Sequence, residues 1–361
     1  MHGQRVTPGD LGGRAHAPPH ASAASMTTLA RLRATTLSLA APDPLAGEAL
    51  EQAKIRLAGL RARPAGEQRD GAAADTVPGG RDAAWVGLAC LATGQFELAA
   101  DVLRSLVRRA GDAEARTARG ETPAAPAGTS AAPYPLLAAA YAAWTADLAT
   151  LGGNAFDDGV HRPSALLPDP GSRPDPLLAC ASESLAAYAA GRSEAAVEHW
   201  RRCVQCLVAE GAARAERLAA DSPPAVAAAN VIVPFVYGLL GAEPDALRHR
   251  LRLRLQPPAA WDRLHIERLR MGDAEVSLRY RREGARHTFR VEQTRGAAPL
   301  RLVLEPLLPA RRLATTRVDG QDARLDARPA GERLLVPVQL VLDHERRLEI
   351  YVGDDPADDA A

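Results

Sequence analysis

Apolar positions recur at three- and four-residue steps through the first two thirds of the chain and give way to strict alternation in the last third. Between Leu45 and Leu60, the residues Leu50, Ala53, Leu57 and Leu60 form the stripe of an amphipathic helix. The same spacing predicts helices over Asp82 to Leu91 and Gln95 to Val107, joined at Thr93-Gly94 with Gly94 as a left-handed cap. Further helices are expected over Leu136 to Leu151, Leu177 to Ala190, Ser193 to Leu218 and Ala225 to Leu240. Two long loops, Gly111 to Ala132 and Gly152 to Pro176, interrupt them, rich in Pro, Gly and Asp.

Past Glu243 the period shortens to two, as Leu247, His249, Leu251, Leu253 and Leu255 alternate with Arg248, Arg250, Arg252 and Arg254. Val276, Leu278 and Tyr280 are expected to face Phe289 and Val291 across a turn at Glu283-Gly284. Alternating runs follow at Leu300 to Leu304, Leu334 to Leu342 and Leu348 to Val352, with turns at Asp319-Gly320 and Ala330-Gly331. The fold class that results is α+β multidomain: a helical hairpin arc, or incomplete toroid, followed by an antiparallel β-sandwich. Residues 1–25 read as a disordered tail, 26–242 as the helical domain, 243–353 as the sandwich and 354–361 as an acidic tail.

Composition narrows the function classes. The 361 residues carry 44 basic and 44 acidic side chains, so no global field selects nucleic acid or an anionic membrane. The Arg248 to Arg254 stripe has no interleaved aromatics and reads as the wet face of a strand. No apolar run is long enough for a membrane helix. The N-terminus lacks a charged-then-apolar leader, and Met26 is a second candidate start, so a cytoplasmic location is expected. Four cysteines give no disulfide framework, and Cys203-x-x-Cys206 lies mid-helix, where two helix-face thiols account for it. No phosphate loop, nucleophile elbow or metal-spaced cluster is present in the sequence, so neither cofactor nor metal is expected.

One stretch carries more chemistry, Arg81-Asp82-Ala83-Ala84-Trp85 followed by Thr93-Gly94-Gln95-Phe96-Glu97-Leu98-Ala99. It resembles the Arg-Asp-x-x-Trp helix and following turn of six-hairpin (α/α) glycosidases, the amylo-α-1,6-glucosidase (glycogen-debranching) and glucoamylase-like family. A second stretch, Leu239-Leu240-Gly241-Ala242-Glu243-Pro244-Asp245-Ala246, is similar to the junction from the helical barrel to a sandwich in the same family. The resemblance implies that Arg81 and Asp82 bind hydroxyls of a terminal glucosyl unit. An Arg fork and a carboxylate suit vicinal hydroxyls, and Asp82 at a helix start stays ionised. Trp85, Tyr134 and Trp144 are the aromatics that could stack on sugar rings, with Tyr134 the best placed between two prolines, while Trp85 and Trp144 at helical spacing more often belong to a core.

The chain departs from the family where an acidic helix start is expected, because Ala132 stands at that Asp position. Glycoside hydrolysis needs two carboxyls across the sugar. The loop acids that could supply them are Glu121 as general acid and Asp157 or Asp158 as base, each also readable as a solvated loop residue. Two readings remain open. One is an α-glucan-active glycoside hydrolase, inverting, with an oligo- or polysaccharide partner. The other is a non-catalytic remnant, a pseudoenzyme binding carbohydrate or protein. A helical-repeat array is disfavoured by the β half and by the lack of a fixed repeat.

Overall fold

The structure, a computed structural model, describes residues 23–60, 80–118, 133–151, 176–209, 224–310 and 312–353. Among them are the helices α1 (Ala23–Thr35), α2 (Pro44–Gly59), α3 (Gly80–Ala92), α4 (Phe96–Ala118), α5 (Pro133–Thr145), α6 (Pro176–Ala189), α7 (Ser193–Ala209) and α8 (Pro224–Val233). The expected helical half followed by a sandwich is what the chain builds. Three helix bounds differ from expectation. Helix α1 begins at Ala23, inside the span read as tail. Helix α4 runs on to Ala118, through residues expected to be loop. Helix α5 stops at Thr145 instead of Leu151, because Ala146 turns left-handed (φ 57°) and Tyr141 donates to Asp147 just beyond (2.9 Å).

Small residues let the central helices pack closely. Every residue of α3 from Ala83 to Ala92 is buried, and so is every residue of α8 from Ala225. A Cβ on Gly87 would sit 2.6 Å from the methyls of Leu137 on α5, so the leucine would have to shift to admit a larger residue there. Pro234 offers no N–H to the Asn230 carbonyl one turn back, and α8 passes there into a π-helical turn, Pro234–Leu239.

The β half holds β2 (Ala242–Asp245), β3 (Arg250–Leu253), β4 (Arg263–Met271), β5 (Ala274–Glu283), β6 (Arg286–Arg295), β7 (Leu300–Leu304) and β8 (Leu307–Leu308). It continues with β9 (Arg312–Val318), β10 (Gln321–Asp322), β11 (Arg328–Ala330), β12 (Arg333–Leu335), β13 (Val338–Leu342) and β14 (Arg346–Gly353). A further strand, β1 (Ser38–Ala40), comes from the helical half and pairs with β4. The sheets are ordered β1-β4-β5-β6-β14-β9-β10, β13-β7-β3-β2 and β11-β12-β8. Pairing is antiparallel except between β3 and β7, which run parallel.

The two-residue period predicts the central pairs. Leu278 lies opposite Val291 and Tyr280 opposite Phe289, with Gly284 left-handed at the turn (φ 58°). The single run expected from Leu247 to Leu255 is broken. A 3-10 turn, Ala246–Arg248, capped by Asp245, and a left-handed His249 (φ 48°) fold β2 back on β3 and leave Leu247 55% exposed. The arginines of that run meet acids: Arg250 pairs with Asp245 (3.1 Å), Arg252 with Glu243 (3.1 Å) and Glu305 (2.9 Å), and Arg254 with Glu305 (3.2 Å).

Helices meet sheets along one side. Gly94 abuts Arg270, Gly191 abuts Leu307, the Gly272 N–H donates to the Trp144 carbonyl (2.7 Å) and the Gln256 N–H to that of Leu239 (2.8 Å). The first turns of α3, α5, α6 and α8 therefore lie at the opposite rim.

Candidate functional site

Arg81 and Asp82 occupy the first turn of α3 and are half-buried. A first-turn acid is the residue type that the positive end of a helix accommodates. At 1.5 Å per residue, Ala92 lies roughly 17 Å farther along the axis, against the sheet side. The pair is thus presented at the rim by a helix that the core grips from Ala83 onward.

Tyr134 starts α5, whose N-terminus points to the same rim. Since Leu137 packs on Gly87, Tyr134 stands near the level of Ala84, about one turn below Arg81. Its half-buried ring lines a hollow of about 310 Å³ with Leu103, Arg104, Val107, Arg108 and Thr150. None of Arg81, Asp82 and Trp85 lines that hollow.

Trp85 lies in the core, 1% exposed. Its Nε1 donates to Asn230 Oδ1 (2.9 Å), tying α3 to α8. The Asn230 amide nitrogen, also buried, has no hydrogen-bond partner among the described residues. Asn230 is a functional-looking polar group that the sequence reading passed over, although its position inside the apolar run Ala225 to Val233 is a visible signal. Glu121, Asp157 and Asp158 lie outside the described residues.

A second hollow, about 390 Å³, opens between the helices and the sheets and is lined by Asp43, Leu45, Arg201, Gln205 and Trp261 among others. Its two charged groups are engaged with each other, while the buried indole Nε1 of Trp261 has no hydrogen-bond partner among the described residues. Asp43 accepts from the Leu45 N–H at the start of α2 (3.1 Å) and from Arg201 Nε (2.9 Å). Among the described residues, Asp43 is the one carboxylate in the two linings, so the described residues oppose no pair of acids across either hollow. Asp147, near the smaller hollow, is held below the usual carboxylate range by the Thr150 hydroxyl and backbone, with Tyr141 adding to the effect, and it is thereby suited to accept hydrogen bonds and not to act as an acid. Among the described residues no group of three His, Cys, Asp or Glu could hold a metal ion, and no helix is long and apolar enough to cross a membrane.

No family model and no curated protein matches the chain. Among solved structures it is similar to a protein described as a kojibiose phosphorylase from the human microbiome, at 10% identity and a TM-score of 0.29. The match covers 46% of this chain and 18% of that one, so the chain spans under a fifth of that protein's length.

Proposed function

We propose that the chain is a carbohydrate-binding protein that takes the end of an α-glucan at the rim of its helical half. The observation that supports this most directly is the placement of Arg81 and Asp82. They open the deeply buried α3 at the end away from the sheets, with Tyr134 on the neighbouring α5 about one turn below. The guanidinium offers a planar fork of donors and the carboxylate two acceptor oxygens, the set that vicinal sugar hydroxyls require. Tyr134 supplies a ring face with a polar tip. Trp85 serves from beneath, as the tie that joins the second turns of α3 and α8. The resemblance of residues 81–99 to the α-glucan-active helical enzymes agrees with this reading.

Cleavage would extend the same reading. Glu121 as acid and Asp157 or Asp158 as base would then perform inverting hydrolysis of a terminal α-glucosidic bond.

Calorimetric titration of the full chain with maltooligosaccharides and a branched limit dextrin tests the proposal. Binding is expected, weakened roughly 10- to 100-fold by Arg81→Met and by Asp82→Asn, as loss of a charge-assisted hydrogen bond would produce. Unchanged thermal unfolding of the variants shows that the loss is local. Absence of binding by the intact folded chain overturns the carbohydrate reading. Glucose release that vanishes in Glu121→Gln would make the protein a hydrolase.

A further inference from the structure

The hairpin of α6 and α7 holds three of the four cysteines, and none of them enters the carbohydrate reading: Cys180 on α6, Cys203 and Cys206 on α7. These helices approach closely. Ser184 Oγ, on a one-carbon side chain, donates to the backbone carbonyl of Ala196 on the opposing helix (2.8 Å). Two turns farther from the connecting turn, Cys203 Sγ lies 3.6 Å from the Leu177 carbonyl oxygen. Leu177 and Cys180 are three residues apart on α6 and so share one face of that helix. The Cys203 sulfur is therefore placed on the face of α6 that carries Cys180.

Access divides the pair. Cys180 is half-buried and within reach of a small reagent, whereas Cys203 is 2% exposed. Around Cys180 stand Glu183 on its own helix and Arg202 on α7, and Glu183 is engaged by His199 (2.9 Å).

We propose that Cys180 and Cys203 form an oxidisable dithiol, in which Cys180 is the thiol that a hydroperoxide attacks first and Cys203 the partner that closes a disulfide between α6 and α7. In the first step the Cys180 thiolate displaces hydroxide from hydrogen peroxide. The O–O bond breaks, Cys180 gains one oxygen as sulfenic acid, and the hydroxide takes a proton to become water. In the second step the Cys203 sulfur attacks the Cys180 sulfur, the S–S bond forms and the S–O bond breaks. The departing oxygen leaves as water with the Cys203 proton. Two thiols lose two electrons and one peroxide becomes two waters.

The electrostatics fit this division. The neighbouring Cys203 side chain holds the Cys180 thiol down at about 6, and Arg202 lowers it further, against burial and Glu183, which act the other way. The neighbouring Cys180 side chain, together with burial, pushes the Cys203 thiol up, so it keeps its proton until it resolves the sulfenic acid.

The test treats the reduced full chain with hydrogen peroxide, followed by digestion without reductant and mass spectrometry. A Cys180–Cys203 cross-link, reversed by dithiothreitol and retained in Cys206→Ser, is expected. In Cys203→Ser the cross-link should vanish, and dimedone should label Cys180. Iodoacetamide at pH 7 should label Cys180 about tenfold faster than the fully buried Cys90. A dominant cross-link through Cys206, or an untouched Cys180 in the folded chain, overturns the proposal. Mapping of the unmutated protein decides the matter even if a serine variant does not fold.

Discussion

The ammonium of Lys54 donates to the Leu37 carbonyl at 2.6 Å, and through that bond α2 holds the segment that feeds β1 into the seven-stranded sheet. Lys54 is the chain's single lysine and is 0% exposed. It also reaches Glu51 (2.5 Å), while Arg268 donates to the adjacent Thr36 carbonyl (3.0 Å) and the Leu37 N–H donates to the Thr93 carbonyl (3.3 Å). A compact ammonium on a flexible stem fits where a guanidinium fork would not.

Lys54→Met should cost about 1 to 3 kcal/mol in urea unfolding, because the Leu37 carbonyl loses its buried donor. Lys54→Arg should cost at least as much, through overpacking. The difference has a pH signature. Burial lowers the Lys54 ammonium below 10.5, so between its folded value and 10.5 the unfolded chain binds more protons. Stability from this group rises with pH through that window, and the advantage of wild type over Lys54→Met should widen as pH rises toward 10.5. A gap that narrows contradicts the burial argument.

Arg333 joins the two halves from the other side. Its side chain, 7% exposed, donates to the carbonyls of Pro257 (3.3 Å) and Leu307 (3.2 Å) and to Glu194 of α7 (2.8 Å). Arg333→Met leaves these carbonyls unpaired and should cost about 2 to 3 kcal/mol. Arg333→Lys should recover only a minor part, since one ammonium cannot match a fork spread over three acceptors. The expected sign in denaturant titration is a broadened or split transition, as helices and sheets begin to unfold separately. A sharp, unshifted transition would show the clamp to be dispensable.

The elements that could be read from the sequence are those whose pattern reports one buried face. Val276, Leu278 and Tyr280 alternate because β5 is covered on one side only, and the glycine at 284 marks the turn. The run through Leu247 misled because a 3-10 turn happens to keep its leucine in phase with the strand that follows. Three residues of β1 are too few to show a period, and their partners on β4 lie more than 220 residues away, as Ser38 against Glu267 shows. For the site, the position of Arg81 and Asp82 at a helix start was legible from local signals. That Trp85 spends its N–H on Asn230 was not, since the two are 145 residues apart.

His287 gives a prediction in acid. It is 1% exposed, shares a hydrogen bond with the Tyr280 hydroxyl (3.0 Å) and is held down at about 4 by burial, with Arg282 adding to it. Between about 4 and 6.5 the unfolded chain binds more protons, so stability present above 6.5 is lost as pH falls toward 4. At pH 4.5 this group should have removed about 2 to 3 kcal/mol relative to pH 7.5. His287→Gln, which keeps a partner for Tyr280 and does not titrate, should lose less over the same range by that amount. Parallel loss in both proteins would assign the acid sensitivity elsewhere.

The last prediction separates core from site at Trp85. Trp85→Phe removes the donor to Asn230 and leaves a fully buried amide without any side-chain partner, which should cost about 1 to 3 kcal/mol. Asn230→Leu strands the indole N–H and should cost a similar amount. In the double variant both polar groups are gone, so its loss should fall short of the sum by about 1 kcal/mol or more in a double-mutant cycle. Saccharide binding should survive Trp85→Phe, because the ring sits beneath the rim and its N–H is turned to α8. If instead Trp85→Phe keeps full stability but abolishes binding, the indole contacts the sugar and α3 must open at the rim to admit it.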